Sequence, residues 1–341
     1  MGTQIGVLFP RVETSLDALA GKRLALDALN VIYQFLSIVR LPDGTPLRTK
    51  KGEVTSHLAG VFYRTINLLE HRIYPVYVFD GRPPLLKMRA LAERAEVKER
   101  FEREWREALA RGDLVAAFKK SVMTSRVNDK MLAEVKQLLA LMGIPWVQAP
   151  SEGEAQAAYM ASRGDVWASA SQDYDSILFG SPRLVRNLAV AGRKYYPKKG
   201  IAVELVPELI TLKQVLQALQ LTREQLVDAA ILVGTDYNEG IYGIGPKKAV
   251  KLVKLYGSAE RVLKALKVDV NFDLEEVRQL YLKPEVTDNY QLAWREPSCE
   301  EVKDFLLKRD FNPERVERGV ERLKLAYRVL AKQTEIRRWF E

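Results

Sequence analysis

Short apolar runs alternate with longer amphipathic stretches along the first half of the chain. The runs "KRLALD", "IYPVYVFD" and "DVWASASQD" have the length of buried strands, and each ends in an aspartate. The stretches "VIYQFLSIVR", "TSHLAGVFYRTINLLEHR" and "EAQAAYMASRG" have helical spacing of their apolar residues. This alternation predicts an α/β fold, in which a central, mostly parallel sheet is covered by helices on both faces.

Two other parts of the chain have a different pattern. Residues 84–130 are densely charged and rich in strong helix formers, which predicts one or two solvent-exposed helices, broken near Gly112 and inserted between sheet elements. From about residue 206 the chain has a mostly helical pattern. Its last residues, "AKQTEIRRWFE", form a polar tail with an apolar tip.

Composition narrows the chemistry. The net charge of +9 favours a polyanionic partner, either nucleic acid or an anionic membrane surface, although a soluble basic protein can have the same charge. One cysteine and two histidines exclude a disulfide framework and leave little room for zinc or a Ser-His-Asp triad, so oxygen-ligated chemistry remains. No run approaches the ~20 apolar residues of a membrane span, and no signal peptide is evident. These features predict an intracellular protein that is neither secreted nor membrane-bound.

Three aspartates stand at the ends of the predicted strands: Asp27, Asp80 and Asp173. In parallel sheets, ligands collect beyond the carboxyl ends of the strands, so three such residues predict a shared site. Any one of them alone would be explained equally well as a turn former or a helix cap.

Two pairs of acidic residues stand on either side of an apolar segment: Glu152 with Glu154, and Asp173 with Asp175. Ser151 and Glu154 have capping-box spacing, which offers Glu154 a purely structural role at a helix start. The second pair is also compatible with an ordinary strand-to-turn passage. The hypothesis of a site depends on both pairs lying beside the other strand ends.

Asp236, which follows an apolar helical stretch, brings the number of such carboxylates to seven. Two unit charges about 4 Å apart repel by about 4 kcal/mol near a protein surface, so such a cluster needs neutralising cations. Carboxylates and water favour Mg²⁺ or Mn²⁺. A pair of such ions activates a water and stabilises the leaving oxygen in phosphodiester hydrolysis, and the basic excess elsewhere would hold the substrate phosphates.

Six motifs, in this order, resemble the structure-specific flap endonucleases of the archaeal and eukaryotic type, within the 5′-nuclease superfamily of PIN-like fold. They are "LALDALNVIYQFL", "VYVFDGRPPLLK", "QAPSEGEAQAAYM", "ASQDYDSILFG", "GTDYNEGIYGIGPKKAVKL" and "QTEIRRWF", and they cover nearly the whole chain. The resemblance implies two Mg²⁺ ions, with Mn²⁺ as a substitute, at a site made of Asp27, Asp80, Glu152, Glu154, Asp173, Asp175 and Asp236.

The resemblance also implies roles for residues near this site. Lys87 and Arg94 match a basic pair at the base of a helical arch, and their spacing of seven places them on one helix face. There they would draw in the scissile phosphate; the alternative is a pair of solvated surface charges. Tyr33 matches a tyrosine that stacks on a base near the cut, although a core aromatic would fit the sequence equally well.

The segment "GIYGIGPKKAVKLVKLYG" resembles the helix–two-turn–helix of this superfamily. Gly243 and Gly245 would offer backbone N–H groups to a phosphate, and Lys247 and Lys248 would add charge that positions a duplex without reading its bases. The resemblance also implies a K⁺ ion here. A glycine-rich turn before a helix is otherwise common loop chemistry.

The tail resembles a peptide that binds a PCNA-type sliding clamp. Gln333, Ile336, Trp339 and Phe340 occupy its anchor positions, with Trp339 where Phe or Tyr usually stands. The alternative is an apolar C-terminus that folds back on its own domain.

The segment "FNPERVERGVERL" resembles a region that helps to bind a short 3′ flap, with Arg309, Phe311 and Thr55 as candidate contacts. The predicted organisation is a nuclease region at 1–98, an arch at 84–130, an internal nuclease region at 116–258 with the helix–two-turn–helix at 234–257, a helical part of the same domain at 259–330, and the tail at 333–341.

The predicted function is cleavage of DNA at the junction of a 5′ flap with duplex, with 5′→3′ exonuclease activity, in lagging-strand maturation and base excision repair. We expect a monomer alone, in the cytoplasm or nucleoid of an archaeon or the nucleus of a eukaryote. Two alternatives stay open: a sister 5′ nuclease, either a processive exonuclease or a bubble-cutting repair enzyme, and a noncatalytic adaptor between DNA and the clamp.

Overall fold

The structure, a computed structural model, describes residues 3–41, 43–88, 127–189, 192–196 and 201–338, with scattered positions between 100 and 113. For 192–196, 201–204 and 332–338 only the backbone is described. Four residues named above, Arg94, Gly112, Trp339 and Phe340, lie outside the described residues, and the predictions made for them stay predictions.

The strands of the described chain form a large sheet and a small one. Their bounds are β1 Val12–Glu13, β2 Arg23–Asp27, β3 Tyr74–Phe79, β4 Trp146–Gln148, β5 Ala168–Ala170, β6 Arg183–Arg186, β7 Gly192–Tyr196, β8 Ile201–Leu205 and β9 Glu208–Thr211. The large sheet has the order β1-β9-β6-β5-β2-β3-β4 and is parallel from β6 to β4, with β9 and β1 antiparallel. The prediction of an α/β fold with a mostly parallel central sheet is therefore confirmed.

The helices surround this sheet. Their bounds are α1 Ala28–Ile38, α2 Ser56–Glu70, α3 Asp129–Leu141, α4 Gly153–Arg163, α5 Asp175–Leu178, α6 Leu212–Leu219, α7 Arg223–Val233, α8 Pro246–Tyr256, α9 Ala259–Leu266, α10 Leu274–Leu282, α11 Cys299–Leu307 and α12 Pro313–Arg338. Short 3₁₀ helices span Gln4–Leu8 and Asp17–Leu19, and residues 85–88 are also helical. No described helix is both long and apolar enough to cross a membrane.

Side chains of the central strands alternate between two apolar cores. Leu26 of β2 and Phe79 of β3 point to the face covered by α1, α2, α3, α11 and α12. Ala25 and Val78 point to the opposite face, where α4 packs. A strand places successive side chains on opposite faces, so both faces of these buried strands must be apolar, which explains their continuous apolar runs.

One expectation about secondary structure is wrong. The third predicted strand does not reach Asp173: β5 ends at Ala170, and the Ser171 hydroxyl then accepts a hydrogen bond from the Asp173 N–H at 3.1 Å, which turns the chain away from the sheet. The region after residue 206 is mostly helical, as the pattern predicted, and β9 adds one short antiparallel strand to the sheet. The antiparallel pair β7–β8 also lay outside the prediction.

Helices α7 to α10 form a third apolar core with α5 and β6. Helices α7 and α8 pack against each other and are joined by residues 234–245. Gly234 has φ +109°, and a Cβ there would lie 2.8 Å from the Gly240 nitrogen, so the close turn requires glycine at this position.

Candidate active site

Asp27 and Asp80 stand at the carboxyl ends of the neighbouring parallel strands β2 and β3. Asp27 also caps α1, and its Oδ1 accepts the Asn30 N–H at 3.0 Å. Asp80 Oδ1 accepts the Gly153 N–H at 2.7 Å. A Cβ on Gly153 would lie 2.6 Å from that Asp80 oxygen, so only glycine lets the start of α4 approach Asp80 this closely.

Glu152 and Glu154 stand at the start of α4. Glu152 is the N-cap residue and makes no side-chain cap hydrogen bond, so the capping box that the spacing of Ser151 and Glu154 allowed does not form. Glu154 instead accepts a hydrogen bond from the Ser176 hydroxyl at 3.4 Å and interacts electrostatically with neighbouring aspartates. The structural role that the sequence offered for Glu154 is therefore absent.

Asp173 lies between β5 and α5, and Asp175 is the first residue of α5. Asp173 Oδ2 accepts a hydrogen bond from Asn30 Nδ2 at 3.3 Å, which ties it to α1. Asp175 is buried, and its Oδ1 accepts the Thr3 N–H at 3.0 Å. The start of the chain thus reaches the same site as residues from the middle of the sequence.

Lys87 lies among these carboxylates. Its Nζ is 2.5 Å from Glu152 Oε2 and 3.9 Å from Asp236 Oδ2, and its side chain is only 16% exposed. Burial lowers the pKa of Lys87, but Glu152, Asp80 and Asp236 together outweigh burial and raise this pKa above its ordinary value. Lys87 is therefore a permanent ammonium inside an acidic environment. We call the seven carboxylates and Lys87 the acidic pocket.

Electrostatic interactions connect the members of the acidic pocket. Burial is the largest cause that raises the pKa of Asp27, Asp80, Glu152 and Glu154, and neighbouring carboxylates raise three of these values further. Burial, followed by the charge of Asp236, raises the pKa of Asp175 to about 7. One lysine does not neutralise this charge.

The acidic pocket fits hard divalent cations by its chemistry, since its donors are carboxylate oxygens. Within the described ranges, however, no three His, Cys, Asp or Glu side chains are arranged to hold an ion directly. The carboxylates lie close together but are not arranged as a complete set of metal ligands. The Lys87 ammonium lies among them and offsets part of their negative charge.

The turn before α8 is open to solvent. Gly243 has φ +74°, and a Cβ on Gly243 or Gly245 would meet nothing within 4 Å. Gly245 is the N-cap residue of α8, and no side chain caps the helix, so its first N–H groups remain available. The Lys248 Nζ donates to the Gly243 carbonyl at 3.2 Å, and Tyr242 is fully exposed. Lys247 is exposed beside them.

The remaining sequence candidates lie on other elements. Tyr33 is half-buried on α1, one turn beyond Asn30. Thr55 is buried at the start of α2, where it makes no side-chain cap hydrogen bond. Arg309 pairs with Glu134 at 3.2 Å, and Phe311 packs against the core beside α2.

The tail candidates Gln333 and Ile336 belong to α12, which continues to Arg338.

Asn30 and Thr3 were not predicted as partners of the acids. Asn30 carried a signal, because it is a polar residue one turn after Asp27 in an otherwise apolar helix start. Thr3 carried none, since its contact is made by the backbone across 172 positions.

Two family models match the chain in the regions that supply the acidic pocket. The XPG N-terminal domain matches residues 5–101, which include Asp27, Asp80 and Lys87. The XPG I-region matches residues 143–236, which include the other five carboxylates. Fold and matches together define a structure-specific nuclease of the XPG class.

Curated relatives and solved structures narrow the class. Flap endonuclease 1 of Pyrococcus abyssi is 54% identical over 342 residues, covering 100% of this chain and 98% of that protein. Flap endonuclease 1 of Archaeoglobus fulgidus is 50% identical, with 100% of both chains covered. The structure of flap endonuclease-1 from Methanococcus jannaschii has 42% identity, a TM-score of 0.76 and coverage of 97% and 100%. The catalytic core of Rad2 in complex with DNA substrate has 26% identity, a TM-score of 0.69 and coverage of 94% and 97%.

The chain belongs to the flap endonuclease family. The prediction of this family, made from the six motifs, is confirmed.

Proposed function

We propose that this flap endonuclease hydrolyses one phosphodiester bond where a 5′ single-stranded flap meets duplex DNA, leaving a 5′-phosphate and a 3′-hydroxyl. The observation that carries the proposal is the acidic pocket, in which buried and half-buried carboxylates from separate parts of the chain lie around Lys87. Burying so many like charges costs free energy, and apolar packing does not offset that cost.

The seven carboxylates of the acidic pocket would hold two Mg²⁺ ions, with Mn²⁺ as a substitute. When bound, such ions supply a water of lowered pKa and positive charge for the leaving oxygen. Asp27, Asp80 and Glu154 are held by hydrogen bonds or burial, so they contribute fixed oxygens.

In this proposal, Lys87 also contacts the substrate. In the described pocket its ammonium is paired with Glu152 and approaches Asp236. Neutralisation of those carboxylates would release Lys87 to pair with the scissile phosphate and stabilise charge on it. Arg94 would assist from the arch.

The duplex would be held at the start of α8. Gly243 and Gly245 leave room for a phosphate to approach the backbone N–H groups, while Lys247 and Lys248 supply positive charge. A K⁺ ion would complete this contact. Recognition would depend on the shape and backbone of the DNA, since phosphate contacts carry no base sequence.

Further contacts would select the branched substrate. Tyr33 would stack on a base near the cut, and Thr55, Arg309 and Phe311 would form the pocket for a short 3′ flap. In that case Arg309 would have to share its guanidinium with Glu134, to which it is already paired.

The C-terminal tail would bind a PCNA-type sliding clamp through Gln333, Ile336, Trp339 and Phe340. The protein would act as a monomer beside the clamp, in lagging-strand maturation and base excision repair, and therefore within the cell compartment that holds the DNA.

Cleavage of labelled branched DNA tests the proposal. A 5′-flap duplex should be cut at the junction in Mg²⁺ and left intact in chelator, whereas nicked and bubble duplexes should be cut more slowly. Asp173→Ala should abolish cutting and leave flap binding in Ca²⁺ nearly unchanged. Asp304→Ala, which changes an exposed aspartate of α11, is the matched control and should cut normally.

Faster cutting of the bubble would instead favour a repair-type sister enzyme, and rapid stepwise degradation from a nick would favour a processive exonuclease. Binding without cutting of any substrate in Mg²⁺ would favour an adaptor and contradict the proposal.

A further inference from the structure

Asn30 connects two acids that come from different strands. Its backbone N–H donates to Asp27 Oδ1 at 3.0 Å, and its side-chain Nδ2 donates to Asp173 Oδ2 at 3.3 Å. The second contact joins residues 143 positions apart. Asn30 therefore fastens the end of β2 to the turn that follows β5.

The orientation of the Asn30 amide is determined by its surroundings. Its Oδ1 accepts the backbone N–H of Gln172 at 3.4 Å and also accepts from Gln34 Nε2. A backbone N–H can only donate, so the Asn30 oxygen must face Gln172, and the NH₂ group must then face Asp173.

Gln34, one turn further along α1, supports this arrangement. Its Nε2 is directed to Asn30, while its own Oε1 is buried without a hydrogen-bond partner among the described residues. A buried carbonyl oxygen without a donor costs free energy. Among the described residues, Gln34 donates to the Asn30 oxygen although its own Oε1 stays without a donor, and Asn30 in turn donates to Asp173.

We propose that Asn30 is a positioning residue for metal binding, an inference that rests on the proposed function. Its donor holds Oδ2 of Asp173, a carboxylate of the acidic pocket, in a fixed direction. Partners that orient a ligand carboxylate in this way strengthen metal binding without touching the metal.

The Asn30→Leu variant tests this role because leucine has a similar volume and no donor. Calorimetric titration of the DNA-free protein with Mg²⁺ should give an affinity about tenfold weaker than that of the wild type. Flap cleavage should need about tenfold more Mg²⁺ for half its maximal rate, and that maximal rate should recover in excess Mg²⁺.

Two further variants complete the experiment. Gln34→Leu keeps the donor of Asn30 but frees its amide to rotate, so it should weaken Mg²⁺ binding in the same direction and less strongly, and it carries the test if Asn30→Leu does not fold. Ser162→Ala loses one side-chain hydrogen bond at the far end of α4 and should bind Mg²⁺ as the wild type does.

The outcomes separate this inference from the proposed function. Wild-type protein that takes up no Mg²⁺ would overturn both. Wild-type uptake together with unchanged affinity in folded Asn30→Leu would overturn the role of Asn30 alone. A variant with a lower maximal rate and an unchanged Mg²⁺ requirement would also overturn it, since a general loss of structure gives that pattern.

Discussion

Asp27 and Asp175 are almost inaccessible to solvent, although aspartate is seldom buried without a cationic partner. Their hydrogen bonds to backbone N–H groups of Asn30 and Thr3 offset part of the cost of burial. Burial nevertheless raises the pKa of both carboxyl groups. These residues lower the stability of the metal-free fold, which is the behaviour expected of side chains placed for chemistry.

Asp175→Asn should stabilise the metal-free protein. Burial and Asp236 raise the pKa of Asp175 from 3.8 to about 7, so the unfolded chain loses this proton first and stability falls as pH rises between those values. Asparagine keeps an acceptor for Thr3 and has no charge. We expect a gain of a few kcal/mol at pH 8, little change at pH 4, and loss of cleavage.

Denaturation in chelator at both pH values measures this difference. Equal stability of the variant and the wild type at pH 8 would show that Asp175 is not under electrostatic strain. Asp269→Asn, which changes an exposed aspartate, should alter stability at neither pH.

Lys87→Met should slow single-turnover cleavage in saturating Mg²⁺ by about a hundredfold or more, because the charge that faces the scissile phosphate is lost. Affinity for uncut flap DNA in Ca²⁺ should change little. Lys303→Met is the matched control, since Lys303 also pairs with two carboxylates, Glu300 and Glu317, on the surface of the helical region. A normal cleavage rate in Lys87→Met would exclude a catalytic role for this lysine.

At the scale of elements, a glycine stands at the start of α4 and another at the exposed start of α8, but only the first is required by packing. Gly153 is required by the chain itself, because a side chain would collide with Asp80. Gly245 is not, since its φ is −86° and the space around it is open. In the proposed function, the missing side chain at Gly245 would let a DNA phosphate approach the first N–H groups of α8.

Gly245→Ala should leave the melting temperature unchanged or slightly raised and weaken duplex binding by about tenfold, through loss of a hydrogen bond to a charged phosphate. Fluorescence anisotropy with a flap duplex measures the affinity. Gly164→Ala should behave in the opposite way: its φ of +84° makes alanine cost about 1 kcal/mol of stability, and DNA binding should persist. Unchanged affinity in Gly245→Ala would contradict a phosphate site at this turn.

The strands β2 and β3 could be predicted because they are continuous apolar runs of sufficient length that end in or just before an acid. The bounds of β5 could not, because a three-residue strand carries little periodic signal and Ser171 decides where it ends. The pair β7–β8 was missed because its segment, "GRKYYPKKGIAVEL", has a polar, lysine-rich centre. The position of the helix cap could not be predicted from spacing alone. Helix α4 starts at Gly153, whose N–H donates to Asp80, and Glu152 is therefore the N-cap residue.

The site was predictable as a set of residue types and only partly as a structure. Acids at the ends of parallel strands indicated convergence, since neighbouring strands end at one edge. The ion pair between Lys87 and Glu152 and the bond between Asn30 and Asp173 join residues 65 and 143 positions apart. Pairings of that kind depend on the angle of each helix against the sheet, which the sequence does not specify.

At the scale of the whole molecule, the net charge and the charge of the acidic pocket have opposite signs. The chain has a net charge of +9, yet its buried carboxylates gather in one pocket. A basic surface attracts DNA over several ångströms, and a local negative site concentrates cations. In the proposed function, the molecule would therefore bind a polyanion and its metal cations at different places.

Removal of residues 333–341 should leave flap cutting by the protein alone unchanged and eliminate its stimulation by a sliding clamp. Leu325→Ala, an exposed position of α12 that precedes the tail, is the control and should keep the stimulation. Cleavage rates with and without clamp measure both. Stimulation that survives the truncation would mean that the clamp contacts another surface.

The acidic pocket as a metal centre is the claim on which the rest depends. Crystals of the protein soaked in Mn²⁺ and measured at the manganese absorption edge test it most directly. We predict two anomalous peaks inside the acidic pocket, and Lys87 displaced from Glu152. Manganese bound only elsewhere, or a pocket that stays without anomalous density in saturating Mn²⁺, would contradict the account.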